Sequence, residues 1–149
     1  MRRYNLLIAH NGKLYPSLAL ETLRLYLLQD EITLGIEQIG EAQELERVLL
    51  PGTLEIPTDE RGRVIIPYRP PQGMFGYLSA SDVLNGTADP RKLRNRIALI
   101  GSSAKGLFDL RSTPLHPQFP RVEVHATVIA GILDYADIRR GLRFPHEPK

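Results

Sequence analysis

The sequence predicts an α/β fold, a mixed β-sheet with flanking helices in a single domain. Three features predict it. Ile97, Ala98, Leu99 and Ile100 form a short, wholly apolar run with no polar alternation, the pattern of a strand buried on both faces of a sheet. Residues 18–28 and 123–133 carry apolar side chains at helical spacing, enough to cover such a sheet. The length of 149 residues suits one domain with a sizeable core.

Along the chain, residues 4–9 read as a strand closed by the turn His10-Asn11-Gly12-Lys13. Ser17 then caps the helix 18–28, with Pro16 fixing its entry. Leu20, Leu23 and Leu27 share one face, and Leu18 and Leu25 widen it, so the helix is expected to be mostly buried. Residues 32–36 read as another strand, and 41–47 as a polar stretch of helical character. Segments 54–57 and 64–69 flank Thr58-Asp59-Glu60-Arg61-Gly62 and are expected to form a hairpin, with Pro67, Pro70 and Pro71 limiting its second arm. Ser79 and Asp82 resemble a capping box opening a short helix at 80–84, which Gly86 closes. Asp89-Pro90 starts a further helical turn, and Arg91, Lys92, Arg94 and Arg96 after it read as a solvated face. The tail from Arg139 is basic and without periodicity, so the domain is expected to span 1–138 and a membrane-proximal tail or linker 139–149.

Composition excludes several classes. With 19 Lys and Arg against 17 Asp and Glu, the net charge of +2 is too slight and scattered for a nucleic-acid surface. Cysteine is absent, which rules out disulfides and thiolate metal sites but leaves the compartment open. No apolar run approaches the roughly 18 residues that span a bilayer, and no signal-peptide pattern is present.

The apolar run ends at Gly101 and delivers Ser102, Ser103, Ala104, Lys105 and Gly106. Open α/β sheets place ligand sites at the carboxyl ends of such strands, and these hydroxyls, Lys105 and free backbone N–H groups suit a small anionic or polar ligand. The competing reading is a plain turn whose serines satisfy backbone groups. Lys105 stands where a nucleophile elbow needs its last glycine, and the Gly-Lys-Ser/Thr ending of a phosphate loop is missing. Asp109, Glu123 and His125 offer acid/base groups, although His125 just before an apolar stripe also reads as a hydrogen-bonded structural histidine. Asp109 is expected to order its loop through backbone N–H groups, toward Thr113-Pro114.

Several motifs in one order resemble the CHASE2 domain: Pro16-Ser17-Leu18-Ala19-Leu20-Glu21, Ile56-Pro57-Thr58-Asp59 through Gly62, Tyr68-Arg69, and Ser79-Ala80-Ser81-Asp82-Val83-Leu84 with Gly86. The series continues through Asp89-Pro90, Ile100-Gly101-Ser102-Ser103-Ala104, Gly106-Leu107 with Asp109, Thr113-Pro114 and Val122-Glu123-Val124-His125-Ala126, covering about 16–133. Asn95 and Arg121 stand where the family commonly has glycine, and Thr127 where it has asparagine. Asparagine tolerates a left-handed backbone, so the turn at 95 is expected to survive.

The resemblance implies an extracytoplasmic sensor module of a bacterial membrane receptor, here its C-terminal portion. The parent protein would sit in the membrane through helices outside this chain and carry a cytoplasmic kinase or cyclase. Ser102, Ser103, Lys105, Asp109, Thr113 and His125 are the expected ligand contacts for an unidentified small-molecule or ionic signal. No catalytic residue, metal or cofactor is assigned, no nucleic acid is expected, and a homodimer is considered. The alternatives are a small α/β hydrolase using Ser102 or Ser103 with Asp109 and His125, and a subunit-packing module without a ligand.

Overall fold

The N-terminal segment alternates short strands with one helix because turn residues interrupt it repeatedly. A computed structural model describes residues 2–68, 75–102, 110–111 and 119–139. Strand β1 (Arg3–Asn5) is separated from β2 (Leu7–His10) by the fully buried Leu6, so the expected single strand is broken. Asn11 and Gly12 both take positive φ, 48° and 71°, and return β2 into β3 (Lys13–Pro16) as a tight hairpin.

Ser17 accepts a bond from the Leu20 N–H at 3.3 Å and caps α1 (Leu18–Tyr26), as its sequence predicts. Ala19, Leu20 and Leu23 are buried, with Leu27 partly so. The helix is not buried all round: Leu18, Leu25 and Tyr26 are exposed, and Leu28 at φ 54° is 88% exposed. Only one stripe of α1 meets the core; nothing among the described residues covers the other.

Strands β4 (Thr33–Ile39), β5 (Ala42–Leu50) and β6 (Leu54–Pro57) form an antiparallel sheet. The stretch 41–47, expected to be helical, is instead the exposed start of β5. Gly40 at φ 64° sets the turn before it, and register with β4 outweighs local propensity. Strand β7 (Arg63–Ile65) pairs with β1, not with β6. The expected hairpin therefore opens at its turn, and its two arms join different sheets.

Helix α2 (Ala80–Leu84) forms where predicted and ends before Gly86 at φ 71°, but the Ser79 side chain makes no cap bond. Its hydroxyl meets the Ser81 hydroxyl at 2.6 Å instead. Asp89 caps a 3-10 turn at Pro90–Lys92, and Asn95 does adopt the left-handed backbone, at φ 56°.

Residues 97–100 belong to no strand pair among the described residues, which corrects the expected central strand. Ile97 and Leu99 pack partly on the core, whereas Ala98 is exposed and Ile100 is 99% exposed. The run is apolar on both sides, but only one side finds a partner here.

Strands β8 (Leu110–Arg111) and β9 (Phe119–Pro120) pair just before the 19-residue α3 (Arg121–Arg139). Helical spacing groups Ala126, Ile129, Ala130 and Leu133 as the expected stripe of this helix, and of these Ile129 alone is buried. Val124, Val128, Ile129, Ile132 and Ala136 are buried, while Ala126, Ala130 and Leu133 are only partly covered. Small sheets and helices thus enclose one core, in which α1 and α3 meet Leu6, Val48, Leu50 and Ile56, and the α/β class holds.

Candidate functional site

The N-terminal half of α3 carries two of the polar groups that the sequence singles out, Glu123 and His125. Gly101 packs so closely on Val122 that an added Cβ would lie 2.5 Å from the valine Cβ, so Ser102, partly buried, arrives beside the start of α3. Ser103, Lys105, Asp109 and Thr113 lie outside the described residues.

One turn further along, the His125 ring meets the Tyr4 hydroxyl from β1 at 2.7 Å, with the two rings edge-on at 5.5 Å. Burial pushes the Tyr4 phenol above its ordinary value, while the Ser17 hydroxyl and the Ala19 N–H act more weakly in the opposite sense. Tyr4 thus links β1, the capped start of α1 and α3. His125 has the structural bond that its place beside an apolar stripe suggested.

Glu123 is buried and accepts a hydrogen bond from the Tyr77 hydroxyl. Burial, then this bond and the glutamate charge, push the Tyr77 phenol up to about 12. With Glu123 held by Tyr77 and His125 by Tyr4, the two described members of the candidate acid/base set serve separate contacts. Among the described residues, no cluster of histidine and carboxylate side chains suits a metal ion.

A second feature follows from the opened turn. Because β6 joins β5 and β7 joins β1, the arms diverge from Asp59 and leave a gap that α3 closes from one side. The result is a cleft of about 470 Å³. Ile56, Val64, Val128 and Ile132 supply its apolar walls, and Arg3, Asp59 and Arg63 its charge.

Asp59 organises the turn. Its Oδ1 accepts bonds from the N–H groups of Arg61 and Arg63 at 3.1 and 2.9 Å, and its Oδ2 from Arg63 Nε at 2.8 Å and Arg3 Nη1 at 2.5 Å. Burial acts to raise its pKa, but the bonds from the Arg63 N–H, the Arg3 guanidinium, the Arg61 N–H and the Arg63 guanidinium outweigh it and hold the carboxyl at about 2. The Gly62 carbonyl accepts the Leu6 N–H at 2.9 Å, which fixes the turn to the break between β1 and β2.

Thr58 to Gly62 reads in the sequence as the turn of a hairpin, and the cleft beside it is not visible there. The available signal was the acidic residue with arginines at 61 and 63, a pattern in which one carboxylate collects several donors.

These features define a small α/β domain whose long C-terminal helix forms one wall of an open cleft. The family model of the CHASE2 domain matches residues 1–148, and the chain belongs to that family, whose members are extracytoplasmic sensor domains. No curated protein and no solved structure matches the chain. No helix among the described residues is long and apolar enough to cross a membrane.

Proposed function

We propose that this chain is the sensory and signal-transmitting domain of a bacterial transmembrane receptor, with no catalysis of its own. The observation that supports this is the double role of α3. Val124, Val128 and Ile132 anchor it in the core, and Val128, Gly131, Ile132 and Tyr135 also face the cleft. A ligand that alters the surroundings of α3 would act on an element that continues to Arg139. The parent protein would continue from there into membrane helices and a cytoplasmic kinase or cyclase, with this domain on the periplasmic or outer side. Such a ligand shifts the receptor only through unequal affinity for two states.

We further propose that a small polar or anionic signal is recognised through Ser102, Ser103, Lys105, Asp109, Thr113 and His125. Ser102→Ala, Ser103→Ala and Lys105→Ala in the full-length receptor test this, with binding and output both measured. Loss of response with a folded domain is the expected result; wild-type responses in all three variants would remove these residues from the sensing site. Ester hydrolysis that disappears with either serine would instead favour a hydrolase.

A specific observation also favours a subunit-packing role. Leu18, Leu25, Tyr26 and Leu28 leave an apolar flank of α1 exposed. If a second copy covers it, light scattering will report a dimer that Leu25→Glu with Leu28→Glu converts to monomer. A wild-type monomer at high protein concentration contradicts homodimerisation through this flank.

A further inference from the structure

The cleft between the diverging arms and α3 lies about two turns along that helix from the Val122 contact with Gly101. Three observations bear on what it holds. Its volume of about 470 Å³ falls within the range of small-molecule pockets, and aliphatic side chains dominate its walls. Its charged groups are two arginines and one aspartate, a local balance of +1. Each guanidinium gives one N–H to Asp59, out of the five that arginine carries, so donors remain for a second anion.

We infer that the cleft binds a small amphiphilic carboxylate, with its apolar body between Ile56, Val64, Val128 and Ile132 and its head group against Arg3 and Arg63. A carboxylate matches guanidinium geometry through paired N–H donors. A cation of the same shape would meet two positive charges against one negative. A neutral alcohol would forgo the charge-assisted bonds. This goes beyond the sensory reading, since it concerns binding to this chain whatever the receptor does with it.

The test compares three probes that share one body, 6-phenylhexanoate, 6-phenylhexanol and 6-phenylhexylamine, titrated calorimetrically into the full 149-residue chain. The carboxylate should bind about tenfold more tightly than the alcohol, with the amine weakest. Arg3→Glu changes the local balance from +1 to −1 and should reverse the order in favour of the amine. Ile65→Glu adds a carboxylate at an exposed position of the cleft wall, takes the local balance from +1 to 0 and leaves the Arg3–Asp59 pair in place, so it should abolish the carboxylate preference without reversing it. Equal affinities for the three probes, no binding of any, or a carboxylate preference unchanged in both variants would each overturn the proposal. Receptor output plays no part in the measurement, so its failure leaves the sensory reading standing.

Discussion

Asp59→Ala is expected to lower stability by about 2–3 kcal/mol at neutral pH, because one carboxylate serves four donors at a turn that joins two sheets. Removing it leaves the Arg61 and Arg63 N–H groups without their acceptor and sets the Arg3 and Arg63 guanidiniums against each other. The same carboxyl makes stability depend on pH in a defined direction. Its folded value of about 2 lies below the ordinary 3.8, so the folded state favours the charged form. Its contribution, about 2 kcal/mol, is therefore fully present above pH 4 and is lost as the pH falls from there toward 2. Urea unfolding of wild type and Asp59→Ala across this range should give curves that converge toward pH 2. A constant gap between them would mean that Asp59 acts through packing and not through its charge.

Gly131→Val should cost about 1–3 kcal/mol, through a contact that no other residue type permits. A Cβ at position 131 would lie 2.2 Å from Pro67 Cγ, far inside the ordinary separation of carbon atoms. Valine is a slightly better helix former than glycine, but by a few tenths of a kcal/mol, too little to offset the clash. Either α3 or the segment after β7 must move. Pro67→Ala removes the offending Cγ and leaves Pro67 Cβ, 3.4 Å from the added carbon, as the next neighbour. The double variant should accordingly be less destabilised than the sum of the single ones. Additive effects at 131 and 67 would show that the contact is not the source of the cost.

Local chemistry made much of this architecture legible in the sequence. Ser17, Asp89, Asn95 and Gly86 each dictate a cap or a turn through their own backbone preference, and each acts where expected. Partnerships set by distant residues were not legible. Arms that flank Thr58 to Gly62 look like a hairpin in one dimension, but β5 and β1 compete for them and win. The apolar residues at 97–100 say that both faces avoid water; they do not say what covers each face. Ile100 and the outer flank of α1 show the same ambiguity. At the site, residue types pointed to the serines and lysine after Gly101, because polar groups after an apolar run are visible locally. The cleft was hidden because it exists only where two sheets part beside a helix.

The proposed role of α3 in carrying a signal is tested most directly by the output of the proposed parent receptor in the Gly131 series. The output of the full-length receptor would be measured in wild type, Gly131→Val, Pro67→Ala and the double variant, at matched expression. If α3 transmits, Gly131→Val shifts basal output by displacing the helix, and Pro67→Ala in the same chain returns it toward wild type. Basal output that stays at the wild-type level in Gly131→Val, while unfolding measurements register the clash, would contradict the claim.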